Sequence, residues 1–153
     1  MIKILLIEDD VELAGLLEAA LLAEAIEVKL AFTPLEGLTA LQNESFDALV
    51  LDLSLPQIDG LEICRIVHES IPNLPIIISS ARSDMNDKVM GFERGADDFL
   101  PKPYDPRELA FRLRAILRRG TLTSEGEVLF HIDEKIPFLQ FYIYILNHQK
   151  TGR

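Results

Sequence analysis

Positive charge is scarce in this chain: 15 Lys and Arg face 25 Asp and Glu, a formal net charge of -10 over 153 residues. Surfaces that hold nucleic-acid backbones depend on clustered cations, so DNA reading by these residues alone is not expected. Cysteine is nearly absent. Cys64 is alone, which excludes an internal disulfide and any multi-cysteine metal site, and its apolar neighbours at helical spacing read as core. The three histidines, His68, His131 and His148, show no metal-binding or phosphotransfer arrangement and read as surface residues. No apolar run approaches the roughly 20 residues that a membrane helix needs. The opening MIKILLIEDD reaches acidic residues at once, with neither a basic leader nor a small-residue cleavage site. No signal peptide is therefore expected, and a reducing cytoplasm is the default compartment.

What is present is ordinarily globular: 48% hydrophobic and 26% charged residues, in a length suited to one domain with a real core. Short apolar runs alternate with amphipathic stretches. Strands are expected at Lys3 to Glu8, Glu27 to Phe32, Ala48 to Asp52, Pro75 to Ser79 and Asp98 to Pro101. Helices are expected at Val11 to Ala25, Pro34 to Gln42, Leu61 to His68, Met85 to Arg94 and Pro106 to Arg118. TPLE and DPRE mark two helix starts, each with a capping residue (Thr33, Asp105), a proline at the first helical position and a glutamate two further on. Several strands are apolar at consecutive positions, so both of their faces are covered. Repeated strand-helix units with short connections then give an α/β fold, a doubly wound five-stranded parallel sheet over about residues 1 to 120.

Beyond it, GTLTSEG (Gly120 to Gly126) reads as a linker, with residues 127 to 153 as a short C-terminal tail. That tail holds a dense apolar stretch, Phe138 to Leu146, too short to span a bilayer or to form a domain.

In an open parallel sheet the chemistry gathers at the carboxyl ends of the strands. Those ends here carry Glu8, Asp9 and Asp10, then Asp52, then Ser79 and Ser80, then Lys102. Asp52 sits at the tip of an apolar strand, within LVLDLSLPQIDG, where desolvation alone discourages a carboxylate. Close carboxylates need a cation between them, and an oxygen-only set with room for water suits Mg²⁺. Beside such an ion Asp52 can act as a nucleophile toward a phosphoryl group, with Lys102 as the positive partner of the acyl phosphate and Ser80 as a hydrogen-bond donor to it. Each residue also has a plainer reading. EDD can cap a helix, Asp52 a turn, Ser80 the next helix, and Lys102 can be a solvated loop lysine. Independent capping roles do not require all of them at equivalent strand ends.

Taken together, LLIEDD, DLSLPQIDG, SSARSD and GADDFLPKPYDPRELAFRLRAILRR, in that order from about Lys3 to Arg119, resemble the receiver domain of two-component response regulators. The resemblance implies a CheY-like, flavodoxin-like sheet of order 2-1-3-4-5. It also implies Mg²⁺ held by Asp9 and Asp52, with help from Glu8 and the Ser54 backbone carbonyl, and phosphorylation of Asp52 by a sensor histidine kinase. Ser80 and Phe99 match the family's hydroxyl and aromatic switch positions, and Lys102 its lysine, usually followed by a cis proline as Pro103 would be. Such a domain is no turnover enzyme and catalyses only its own phosphorylation and dephosphorylation.

DLSLPQIDG, GADDFLPKP and the arginine-rich fifth helix most resemble the OmpR/PhoB-like subfamily, which carries a winged-helix DNA-binding domain. There the fourth helix, fifth strand and fifth helix form a symmetric dimer face that serves transcription control. The matching ion pairs are Lys88 with Glu108, Asp98 with Arg112, and Asp97 with Arg119. A local alternative pairs Glu108 with Arg112 at i and i+4 along one helix. The sequence departs from the pattern after Gly120, where 33 residues follow and a winged helix needs on the order of 100. GEVLFHIDEK reads as the opening strand of such a domain, so the tail is a remnant of an effector domain that is missing or truncated, or it does something else: packing on the receiver, covering a partner, or self-association. DNA would be reached only through an effector domain outside these residues. Two other functional classes compete. A haloacid-dehalogenase-type phosphatase also uses an aspartate and Mg²⁺, but needs a second aspartate two residues on, where Ser54 stands. A constitutive pseudo-receiver interaction module is opposed by the complete set of acids, hydroxyl and lysine.

Overall fold

The computed structural model describes residues 1–121 and 142–147. Five strands, β1 (Ile2–Ile7), β2 (Ile26–Ala31), β3 (Ala48–Leu51), β4 (Ile76–Ser80) and β5 (Asp98–Pro101), alternate with five helices, α1 (Val11–Leu22), α2 (Pro34–Asn43), α3 (Gly60–Ser70), α4 (Met85–Glu93) and α5 (Pro106–Thr121). The sheet is parallel throughout, in the order β2-β1-β3-β4-β5. This is the doubly wound architecture that the consecutive apolar runs require, because a parallel sheet must be covered on both faces.

Alternation along the strands divides the core into two layers. Ile4, Leu6, Val50, Ile77 and Leu100 face α1 and α5, where they meet Leu17, Leu21, Leu109 and Leu113. Leu5, Ile7, Leu49, Leu51, Ile78 and Phe99 face the other way and pack with Leu38, Leu41, Ile63 and Val67 of α2 and α3. The caps behave as their residue types dictate. Thr33 Oγ1 accepts the Glu36 amide at 3.1 Å, the Glu36 carboxylate accepts the Phe32 amide at 2.7 Å, and Asp105 Oδ1 accepts the Arg107 amide at 2.9 Å.

Two helix ends differ from expectation by three residues, and the others by two or fewer. α1 stops at Leu22 instead of running to Ala25, because Ala25 takes a left-handed conformation (φ 65°) that turns the chain into β2. α5 continues beyond Arg118 through Gly120 to Thr121, with Arg118 and Arg119 in its last turn, where cations favour the helix terminus. The expected linker thus starts inside the helix, and residues 122–126 lie outside the described residues, as do the expected strand GEVLFHIDEK, His131 and His148. Part of the apolar tail is described. Residues 142–147 are helical, Leu146 is 2% exposed and joins the layer built on α2 and α3, and the Tyr142 hydroxyl accepts from Arg65 Nη2 at 3.2 Å. Of the roles open to the tail, these residues take packing on the receiver.

Cys64 is fully buried, its Sγ 3.8 Å from the Arg94 carbonyl oxygen, and burial, reinforced by the Asp97 charge, pushes its thiol up to about 12. Near pH 8 this leaves roughly a thousandth of the thiolate that a free cysteine carries. Labelling with a thiol reagent is therefore expected to be about 1,000-fold slower in native buffer than in denaturant, whereas equal rates would place Cys64 outside the core.

Candidate functional site

Register builds the site. Ile7 lies opposite Leu51, so Glu8 and Asp52 are the next residues out of neighbouring central strands. The Asp52 amide donates to the Ile7 carbonyl at 3.1 Å, and the Glu8 amide to the Ala31 carbonyl at 3.0 Å. On the other side Ser80 lies opposite Pro101, and the Lys102 amide donates to the Ser80 carbonyl at 3.0 Å. Four strand ends thereby bring two acids, a hydroxyl and an amine to one edge.

Glu8 and Asp52 are 1% and 5% exposed. Lys102 Nζ lies between them, 2.7 Å from Glu8 Oε1 and 3.5 Å from Asp52 Oδ2. Burial opposes the charge on Lys102, but the Glu8 hydrogen bond and the Asp52 charge outweigh it and raise the ammonium above its ordinary value. Burial likewise raises Glu8, with the Asp52 charge adding to it and the Lys102 hydrogen bond only partly offsetting it. Asp9 is exposed, and its carboxylate completes a group whose oxygens, one each from Glu8, Asp9 and Asp52, lie within 4.8 Å of one another. Beside these three carboxylates stands one ammonium, in contact with Glu8 and Asp52. That imbalance, the all-oxygen donor set and the open side at Asp9 suit a hard divalent cation that keeps part of its water.

The remaining expected residues fall around this cluster. Ser54 is exposed and its amide donates to Asp52 Oδ1 at 3.2 Å, so Asp52 also caps its turn. Asp10 is the α1 cap and accepts from the Leu13 amide at 3.1 Å, so the capping reading of EDD holds for that member. Ser80 is fully buried and its hydroxyl accepts from the Arg82 amide at 3.0 Å. Phe99 is 6% exposed, with its ring inside the core against α4 at Gly91, where an added Cβ would lie 2.8 Å from Ile78 Cδ1 and 3.4 Å from Phe99 Cδ2. The Lys102–Pro103 peptide is cis.

The residues matched to a dimer face are largely engaged within the chain. Arg112 pairs with Asp98 at 2.9 Å and with Glu108 at 3.0 Å, so the i,i+4 pairing is realised beside the strand pairing. The Asp97 carboxylate accepts the Ile76 amide at 2.9 Å. Lys88 is half-buried and Arg119 exposed.

Three features escaped the sequence reading. Arg82 bridges Asp59 and Asp87, both at 3.1 Å, and so links the start of α3 to α4. Ser79, behind Ser80, bonds Tyr104 at 2.8 Å. The strand alternation was the available signal, since a hydroxyl facing α1 and α5 needs a polar partner there. Finally, Gly60 of DLSLPQIDG lets α3 start directly against the Asp52 turn.

An open parallel sheet of order 2-1-3-4-5 with two acids, a hydroxyl and a lysine at its carboxyl edge is a receiver-type doubly wound α/β domain. The family comparison agrees: the response regulator receiver domain model matches residues 4–114, and the chain belongs to that family. It is 45% identical over 119 residues to the response regulator ArlR of Staphylococcus aureus, an alignment covering 78% of this chain and 54% of that protein. The chain therefore spans about half the length of the curated relatives it matches. Among solved structures it is similar to the BeF3-activated DrrB receiver domain (34% identity, TM-score 0.71, 78% of this chain and 99% of that one). Full-length DrrB, a Thermotoga maritima OmpR/PhoB homologue, matches at the same identity and TM-score, with 54% of its length covered. A CheY-like receiver domain from Methanospirillum hungatei matches at 28% identity and TM-score 0.75, covering 78% of this chain and 95% of that one.

Two predictions test this geometry. In metal-free buffer, Lys102→Ala leaves two buried carboxylates without their cation and is expected to cost about 2–4 kcal/mol of stability, whereas Asp52→Asn relieves repulsion and raises stability by about 1 kcal/mol. Denaturant midpoints check both, and equal midpoints would mean that the cluster carries no strong interaction. At Gly60 a Cβ would lie 2.4 Å from Leu53 Cα and 2.6 Å from the Asp52 carbonyl oxygen, both backbone. Gly60→Ala is therefore expected to destabilise by about 2 kcal/mol or more and to shift the Asp52 amide resonance, while a neutral result would contradict the close approach.

Proposed function

We propose that this domain is the phosphoacceptor of a two-component system: Asp52 takes a phosphoryl group from a sensor histidine kinase in a Mg²⁺-dependent reaction, and the α4–β5–α5 surface changes in response. The observation that carries this reading is the three-to-one imbalance of carboxylates and ammonium around a buried Asp52. Asp9 and Asp52 would hold the ion, aided by Glu8 and the Ser54 carbonyl. When bound it supplies neutralising charge to the phosphoryl oxygens.

The chain's own residues do the rest. An Asp52 carboxylate oxygen forms the new bond to phosphorus while the bond to the donor's nitrogen breaks, the electron pair leaving with the donor. The Lys102 ammonium, charged and already against Asp52, pairs with the transferred group. The Ser80 hydroxyl gives up its bond to the Arg82 amide and donates to a phosphoryl oxygen, which frees space beside the Phe99 ring and biases a two-state packing of α4. Reversal is hydrolysis of the acyl phosphate, so the domain catalyses only its own phosphorylation and dephosphorylation. Ser54, where a phosphatase of the haloacid-dehalogenase type carries its acid/base, argues against turnover on foreign substrates.

By analogy with the relatives, the output is transcription control through a winged-helix domain and dimerisation, in the cytoplasm. Exposed apolar side chains on α4 (Val89, Phe92) and α5 (Phe111) support such a contact face. Lys88, Asp97, Asp98, Glu108, Arg112 and Arg119 would fix its register, with Asp98, Glu108 and Arg112 exchanging their intrachain partners, at about 0–1 kcal/mol for each exposed pair.

Intact-protein mass after incubation with Mg²⁺ and a small-molecule phosphodonor tests the reading. One added phosphoryl group is expected, lost in Asp52→Asn and with a chelator, together with a shift toward dimer on size exclusion. No adduct on folded protein would leave a constitutive interaction module as the better account.

A further inference from the structure

Ser79 and Ser80 are consecutive on β4, so their side chains point to opposite faces of the sheet. Ser80 belongs to the transfer site, and nothing in that chemistry uses Ser79. Yet Ser79 is 1% exposed, sits on the strand face that packs on α1 and α5, and spends its hydroxyl on a phenol 25 residues away: Ser79 Oγ lies 2.8 Å from the Tyr104 hydroxyl. Tyr104 follows the lysine by two residues.

The segment carrying Lys102 is consequently tied to β4 at two consecutive residues. The Lys102 amide bonds to the Ser80 carbonyl at 3.0 Å, and the Tyr104 hydroxyl bonds to Ser79. The Tyr104 ring packs against the α1 and α5 core layer, and a cavity of about 310 Å³ flanks it, lined by Leu13, Leu16 and Leu17 on one side and by Lys102 and Tyr104 on the other. With space on that flank, the phenol bond adds a directional anchor to β4 beside the Lys102 backbone contact and the packing of the ring. The ring also feels the site: burial raises its hydroxyl, and the charges of Lys102, Glu8 and Asp52 act on it.

We propose that Ser79 and Tyr104 are a positioning pair for phosphoryl transfer, anchoring the Lys102 segment to β4 so that the ammonium is held between Glu8 and Asp52. The proposal rests on the phosphoacceptor reading and adds two residues to it. Neither touches the reacting atoms, and both act through Lys102.

The test uses the full chain and four proteins: wild type, Ser79→Ala, Tyr104→Phe and the double variant, which removes both hydroxyls and leaves no orphaned partner. Three quantities are measured: the rate of Mg²⁺-dependent phosphorylation by a small-molecule phosphodonor, the thermal midpoint, and the nitrogen-15 ammonium resonance of Lys102. In the double variant the midpoint is expected to stay near that of wild type, the rate to fall about three- to tenfold, and the ammonium signal to broaden or move. A wild-type rate or a wild-type ammonium signal in the double variant overturns the proposal, whatever the single variants do. If the double variant does not fold, Tyr104→Phe, which keeps the ring, is judged by the same two readouts. Wild-type protein that takes no phosphoryl group sinks the phosphoacceptor reading itself, and the ammonium signal then decides the pair alone.

Discussion

One ammonium between two buried carboxylates organises this molecule. Lys102 is close enough to Glu8 and Asp52 to keep its own charge against burial, but a single cation cannot compensate both acids and Asp9 beside them. A purely structural cluster would settle at neutrality, since buried uncompensated charge is expensive. The surplus negative charge at the sheet edge is tolerable because one side opens to solvent at Asp9, where a cation can enter. The fold exists to hold that imbalance in place: the parallel register sets Glu8 level with Asp52, and the β4–β5 register sets Lys102 above Ser80.

The two core layers give the site different supports. On the α1 and α5 side, Leu100 and Ile77 form a packed floor, and beside the cavity that flanks the Lys102 segment the Tyr104 ring packs on this layer and bonds to Ser79. On the other side the Phe99 ring lies beside Gly91 of α4, which ties the state of the sheet edge to the position of that helix. Close packing makes such a contact two-state rather than gradual. In the proposed function this is the route from Asp52 to the α4–β5–α5 surface. The six described tail residues reach α3 through Arg65 and join the core layer on that side.

Much of this was legible in the sequence, for identifiable reasons. Strands buried on both faces have no polar face to blur the pattern, so the apolar runs located the sheet, and the polar residues at the ends of β1, β3, β4 and β5 located the edge. TPLE and DPRE fixed two helix starts because cap and proline each answer a backbone need at that point, as the Glu36 carboxylate does in the first. Other features depend on three-dimensional partners and were not legible. The end of α1 is set by the left-handed Ala25, a choice imposed by where β2 must begin. Within the chain Arg112 reaches both Asp98 and Glu108, so the local i,i+4 pairing forms together with a strand contact that the sequence had placed only across a dimer face. The bond between Ser79 and Tyr104 joins residues that no local rule connects. Gly60 showed only as the end of a motif, and its role as the contact that lets α3 start against the Asp52 turn appears once the backbone is in place.

The central claim is that Asp52, rather than any other acid at this edge, forms the acyl phosphate. The most direct test is to phosphorylate the protein in the presence of Mg²⁺, trap it with borohydride, which reduces an acyl phosphate to the alcohol, and map the product by peptide mass spectrometry. The account predicts homoserine at position 52 and no reduction at Glu8, Asp9 or Asp10. Reduction at one of those neighbours, or none at all under conditions where the protein is folded and metal-loaded, would contradict it.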